Sequence, residues 1–132
     1  MKFMLDTNIC IQLIKHRPQQ LINRFGRTPV GDIGISAVTL AELEYGAAKS
    51  GRRDRNRNAL RGFISPLEVA VFGQAETASY GRIRAFLEKK GRIIGAMDML
   101  IAAHAISLGV QLITNNEAEF RRVPGLRVDN WM

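Results

Sequence analysis

Apolar positions along this chain fall into two periods, and the two alternate. Residues 3–5 form a short apolar run that ends in Asp6, a pattern that predicts a buried strand. Residues 33–36, 67–72, 110–114 and 126–128 predict further strands, the last at a sheet edge. Between them lie stretches with helical spacing. Residues 8–16 predict one helix, and Pro18 opens another that closes by Gly26 and Pro29. Helices are also predicted over residues 38–49, 53–64, 74–90 and 96–108, with a short one over 117–122. Gly51, Gly91 and Gly109 stand where three of these would stop. Strands that alternate with helices indicate an α/β fold with a mainly parallel sheet and helices on both faces. No repeat or linker divides the chain, so one domain over residues 1–132 is expected.

In such a sheet, ligands bind beyond the carboxyl ends of the strands. Acids fall at those places here. Asp6 follows the first strand directly. Its plain role would be to cap the helix after it. Glu42 lies soon after the strand at 33–36. It either closes a capping box with Thr39, or stands free further into the helix if Ser36 is the cap. Asp98 opens a helix that is apolar nearly all round. It is either a first-turn acid favoured by the helix dipole or a functional group, since an idle carboxylate among apolar neighbours is expensive. After the strand at 110–114 come Thr114, Asn116, Glu117 and Glu119, which also read as a turn with first-turn acids.

Each acid alone has a local explanation; together they make a cluster. Clustered carboxylates raise one another's pKa, and a hard divalent cation with oxygen ligands relieves the repulsion. Such an ion suits phosphodiester chemistry. Other chemistries lack their residues. There are two histidines and one cysteine, and neither a zinc pattern, a G-x-S-x-G elbow nor a phosphate-binding loop occurs. His104, on an apolar helix, reads as a structural residue.

Charge sharpens the picture. Lys and Arg number 19 against 12 acids, a net +7, which favours a polyanionic partner. Arg53, Arg57 and Arg61 recur every fourth residue and would share one helix face. With Arg82 and Arg84 they are candidates for gripping RNA or an acidic protein partner; a solvated basic face is the simpler alternative. The single cysteine, Cys10, excludes an intrachain disulfide and fits a reducing compartment. No apolar run reaches membrane-spanning length and the start does not read as a signal peptide, so a cytoplasmic protein with no membrane role is expected.

Five blocks now gain meaning in combination: MLDTNICI at 4–11, SAVTLAELEYGA at 36–47, IGAMDMLIAAHA at 94–105, LITNNEAEF at 112–120 and RVPGLRVDNW at 122–131. In this order and spacing the chain resembles the PIN-domain ribonucleases, and more closely the VapC toxins of bacterial type II toxin–antitoxin pairs. The resemblance implies a single PIN-like α/β/α domain and RNA hydrolysis dependent on Mg²⁺ or Mn²⁺. It implies that Asp6, Glu42 and Asp98 are catalytic metal ligands. Where the family often has a fourth acid, this chain has Asn116. Glu119, one helical turn later, is then the expected fourth ligand, with Asn116 and Thr114 in support. It further implies a tRNA substrate, with the initiator anticodon stem-loop a leading candidate, and a VapB antitoxin. Homodimers, a higher complex with antitoxin, and contact with operator DNA only through the antitoxin also follow from it. The alternatives are a non-catalytic basic nucleic-acid-binding module, or a nuclease of this fold acting on ribosomal RNA or DNA.

Overall fold

The computed structural model describes residues 1–132. Its first strand, β1 (Phe3–Leu5), buries Met4 and Leu5 completely. A strand covered on both faces needs hydrogen-bonding neighbours on both edges, and β1 has them. β2 (Ile33–Ser36) runs parallel along one edge and β4 (Gln111–Ile113) parallel along the other. Outside these lie β3 (Glu68–Ala70) beside β2 and β5 (Val128–Asp129) beside β4, again parallel. The strand order is β3-β2-β1-β4-β5, so the sheet is wholly parallel and its winding reverses between β1 and β4.

Helices make the crossovers, as parallel strands require. α1 (Thr7–Ile11) continues into one widened turn at Gln12–His16 and ends at Arg17, whose φ of 51° is left-handed. α2 (Gln19–Arg27) follows Pro18, α3 (Ala37–Lys49) follows β2, and α4 (Arg53–Ile64) leads to β3. α5 (Gln74–Lys89) and α6 (Ala96–Leu108) precede β4, and α7 (Glu117–Phe120) lies between β4 and β5. The elements match the sequence expectation closely. The differences are the widened turn that ends the first helical segment, a third strand cut to three residues, a last helix that stops at Phe120, and a last strand at Val128–Asp129 rather than 126–128.

Strand alternation divides the core in two. Met4 and Leu112 point to one face, packed with Ile83, Leu87, Met99 and Ile101 of α5 and α6. Leu5 and Ile113 point to the other, packed with Ile9, Leu13, Leu21, Leu43 and Leu60 of α1 to α4. α6 has buried residues on most sides because it is enclosed by the sheet and α5, which its apolar sequence demands. Gly34 in β2 is needed for close approach: a Cβ there would lie 2.8 Å from the Glu68 carbonyl of β3. No helix is long and apolar enough to cross a membrane.

Candidate active site

The winding of the sheet reverses between β1 and β4, and open α/β sheets bind ligands beyond the carboxyl ends of the strands at such a reversal. Asp6 is the first residue beyond β1. Its backbone is extended, so its side chain can fold over the start of α1, and Oδ1 accepts from the Ile9 N–H at 2.8 Å. The capping role and the site position therefore coexist, one oxygen serving each. Oδ2 accepts from the hydroxyl of Thr114, the first residue beyond β4. The Thr114 oxygen in turn accepts from the Asn116 N–H at 2.9 Å.

Asp6 is only 3% exposed. Burial pushes its carboxyl up to about 6, above what the Thr114 and Ile9 hydrogen bonds recover, and the charges of Asp98 and Glu42 push the same way.

Ser36, not Thr39, caps α3: its oxygen accepts from the Val38 N–H at 3.0 Å. The capping box between Thr39 and Glu42 does not form, because Thr39 is already inside the helix and fully buried. Glu42 is thereby free in the second turn. Its Oε1 accepts from the Thr7 hydroxyl at 2.5 Å, and the Thr7 oxygen also lies 3.3 Å from that of Thr39. Ser36 is itself held by His104, whose Nδ1 is 2.8 Å from its hydroxyl. His104 is fully buried and packs edge-on against Phe72, and burial holds its pKa below the ordinary histidine value. It ties α6 to the start of α3.

Asp98 is the third residue of α6, after Gly95. Gly95 leaves room for the carboxyl: a Cβ there would stand 3.3 Å from Asp98 Oδ2. Burial raises the Asp98 pKa first, then the charges of Glu42 and Glu119. Glu119, on α7, accepts from Asn116 Nδ2 at 3.0 Å. Glu117 turns elsewhere, pairing with Arg121 at 2.8 Å and accepting from Asn130.

Four acids from different parts of the chain thus meet at this end of the sheet: the charges of Asp98 and Glu42 act on Asp6, and those of Glu42 and Glu119 on Asp98. None of them takes part in any of the chain's five ion pairs. No three acid side chains close on one point at ligating distance; Asp6 is engaged by Thr114 and Glu42 by Thr7. Oxygen-only donors, uncompensated negative charge and a carboxyl raised to about 6 are the chemistry a hard divalent cation fits.

The basic residues divide between α4 and the groove beside it. Arg53, Arg57 and Arg61 are exposed on α4. The groove that reaches Glu42, about 500 Å³ between α1, α3 and α4, is lined by Arg52, Arg55 and Lys15 among its basic residues. Leu60 sets this orientation: it is buried, and the residues at 52 and 56 share its face of the helix. Arg84 is engaged by Glu88 at 2.7 Å and Tyr80 at 2.9 Å, and Arg82 by Ser79 at 3.2 Å. Thr7 is the site residue that sequence reasoning passed over; its place beside Asp6 was the available signal.

The PIN domain model matches residues 3–126. The chain is 47% identical over 131 residues to the tRNA(fMet)-specific endonuclease VapC of Shigella flexneri, covering 99% of this chain and 98% of that one. It is 44% identical to ribonuclease VapC2 of Haemophilus influenzae over 132 residues, covering 100% and 99%. Among solved structures it resembles DNA-bound VapBC from Salmonella typhimurium, with 45% identity, a TM-score of 0.96 and coverage of 100% and 99%. It also resembles VapBC2 of Rickettsia felis bound to a promoter fragment, with 42% identity, a TM-score of 0.92 and full coverage of both chains. With fold, order of blocks and full-length identity in agreement, the chain belongs to the PIN-domain family and, within it, to the VapC ribonucleases.

Proposed function

We propose that this chain is the toxin of a type II toxin–antitoxin pair, an endoribonuclease that uses Mg²⁺ or Mn²⁺, cuts tRNA and so inhibits translation in the bacterial cytoplasm. The observation that carries this reading is a set of four acids at the carboxyl end of the sheet, Asp98 within electrostatic reach of the other three and none of them in an ion pair. The initiator anticodon stem-loop is the leading substrate, supported by the Shigella relative's specificity for tRNA(fMet). A VapB-type antitoxin is the proposed inhibitor, supported by the VapBC complexes of the Salmonella and Rickettsia relatives. Homodimerisation, a larger complex with antitoxin and contact with operator DNA only through the antitoxin complete the proposal.

Asp6, Glu42, Asp98 and Glu119 would hold the metal. When bound, a divalent cation neutralises such acids, polarises a phosphoryl oxygen and makes a nearby water more acidic. The chain's own residues do the positioning. Thr114 holds Asp6, and the Asn116 N–H holds Thr114. Thr7 fixes Glu42, and the Asn116 side chain fixes Glu119. Asp98 accepts no hydrogen bond from the protein, so both its oxygens are available, and Gly95 leaves them space. Hydrolysis at this site would leave a 5′-phosphate and a 3′-hydroxyl. The groove beside Glu42, half apolar and edged by Lys15, Arg52 and Arg55, suits the tail of an antitoxin.

The test is to map RNA ends in cells after brief expression without antitoxin. New 5′-phosphate ends in the initiator anticodon stem-loop are expected, absent with Asp98→Asn. Ends confined to ribosomal RNA, or equal ends with the variant, would overturn the assignment.

A further inference from the structure

A second cleft lies away from the Glu42 groove, among the last turn of α5, the loop at 90–95 and α7. It encloses about 330 Å³. Phe86, Leu87 and Ala118 form its apolar part, and Lys90, Arg92, Arg121 and Arg122 line the rest. No acid lines it, and only Arg121 is paired with a carboxylate, that of Glu117. Arg122 donates Nη1 to the Ile93 carbonyl at 3.2 Å, while its Nε is buried with no acceptor. Four cations drawn to one small cleft repel each other, and a buried donor without an acceptor is costly. An anion in the cleft would relieve the repulsion.

The position is informative. The 90–95 loop runs directly into α6 and Asp98, and α7 carries Glu119. Arg122 ties that loop to the end of α7. The cleft is therefore built from the elements that present two of the four site acids. We propose that it binds a backbone phosphate of the RNA substrate, next to the strand segment that enters the carboxylate site. This rests on the ribonuclease reading and extends it to a specific substrate contact. Its small size and cationic lining suit a phosphate better than a peptide, which the larger, half-apolar groove beside Glu42 fits.

The variant to make is Lys90→Ala/Arg92→Ala, both exposed residues outside any ion pair with an acid. The control is Arg27→Ala/Lys49→Ala, which removes the same charge from exposed sites elsewhere. The probe is a short fluorescein-labelled RNA hairpin, titrated by anisotropy in EDTA at several salt concentrations. For one lost phosphate contact, the slope of log affinity against log salt should fall by about 0.7 to 0.9. Affinity at low salt should drop clearly further than in the control. Equal affinity and slope in the two double variants would overturn the proposal. So would unchanged RNA binding with weakened binding of a poly-glutamate peptide. Failure of the catalytic reading would look different: wild-type protein would bind the hairpin yet cut no RNA with Mg²⁺ or Mn²⁺, and the binding comparison would still be decisive.

Discussion

Thr114 donates its hydroxyl hydrogen to Asp6 across the seam where the sheet reverses its winding. Each residue is the first beyond its strand, and the two strands are hydrogen-bonded neighbours, so their register sets the contact. Two residues 108 apart in sequence are thereby fixed together at the ligand-binding end of the sheet.

Thr114→Val removes the donor while keeping the shape. The bond lowers the Asp6 pKa, so its loss should raise that pKa further. Groups that orient metal ligands typically contribute about 10–100-fold in affinity or activity. A loss of that order is expected in Mg²⁺ titrations of RNA cleavage, with Thr114→Ser retaining most activity. Wild-type behaviour in Thr114→Val would show that the contact does not position Asp6.

Thr7 should matter in the same way for Glu42. Thr7→Val frees a carboxylate now held at 2.5 Å. Cleavage and apparent metal affinity should fall by about 10–100-fold, with little further loss when Glu42→Gln is added. Independent, multiplying losses would show that Thr7 acts elsewhere.

The fourth acid is open to a direct comparison. Glu119→Gln keeps the Asn116 contact but removes the charge that acts on Asp98. Its cleavage rate should fall well below that of Asn116→Ala, which removes only a side-chain support. The reverse order would make Asn116 the ligand and Glu119 its support.

Asp6 also gives metal-free protein a specific pH dependence. Its folded pKa, about 6, lies above the ordinary aspartate value of 3.8, so the folded state binds the proton more tightly. The stability this confers is present below about pH 4 and is lost as pH rises through about 6, amounting to about 3 kcal/mol. Asp6→Asn should abolish that window. In EDTA, the variant should gain stability relative to wild type between those pH values, measured by urea denaturation. A difference that stays flat across the window would contradict the burial of an ionisable Asp6. Saturating divalent cation should restore wild-type stability at neutral pH, by about 2.7 kcal/mol at a hundredfold excess over its dissociation constant.

Much of this was legible in the sequence. Asp6 and Asp98 stand out because each ends or interrupts an apolar stretch, where an acid must have a reason to be. The parallel sheet follows from strands that alternate with helices. Other features depend on three-dimensional register. Ser36 and Thr39 are both good caps, and only the end of β2 decides that Ser36 is used. The spacing of Arg53, Arg57 and Arg61 gives a shared face but not its direction, which the burial of Leu60 fixes. Glu117 and Glu119 look alike in sequence; they separate because Arg121 and Asn130 draw Glu117 away. The cationic cleft was invisible, since its residues come from three segments that only the fold assembles.

On the proposed reading, the four acids support metal-dependent cutting of RNA. The most direct measurement is cleavage of end-labelled initiator tRNA by purified protein, with Mg²⁺, with Mg²⁺ plus excess EDTA, and by Asp98→Asn with Mg²⁺. The expected result is cutting in the first case alone, with the variant folded and still able to bind RNA. Undiminished cutting in EDTA, or by folded Asp98→Asn, would contradict it.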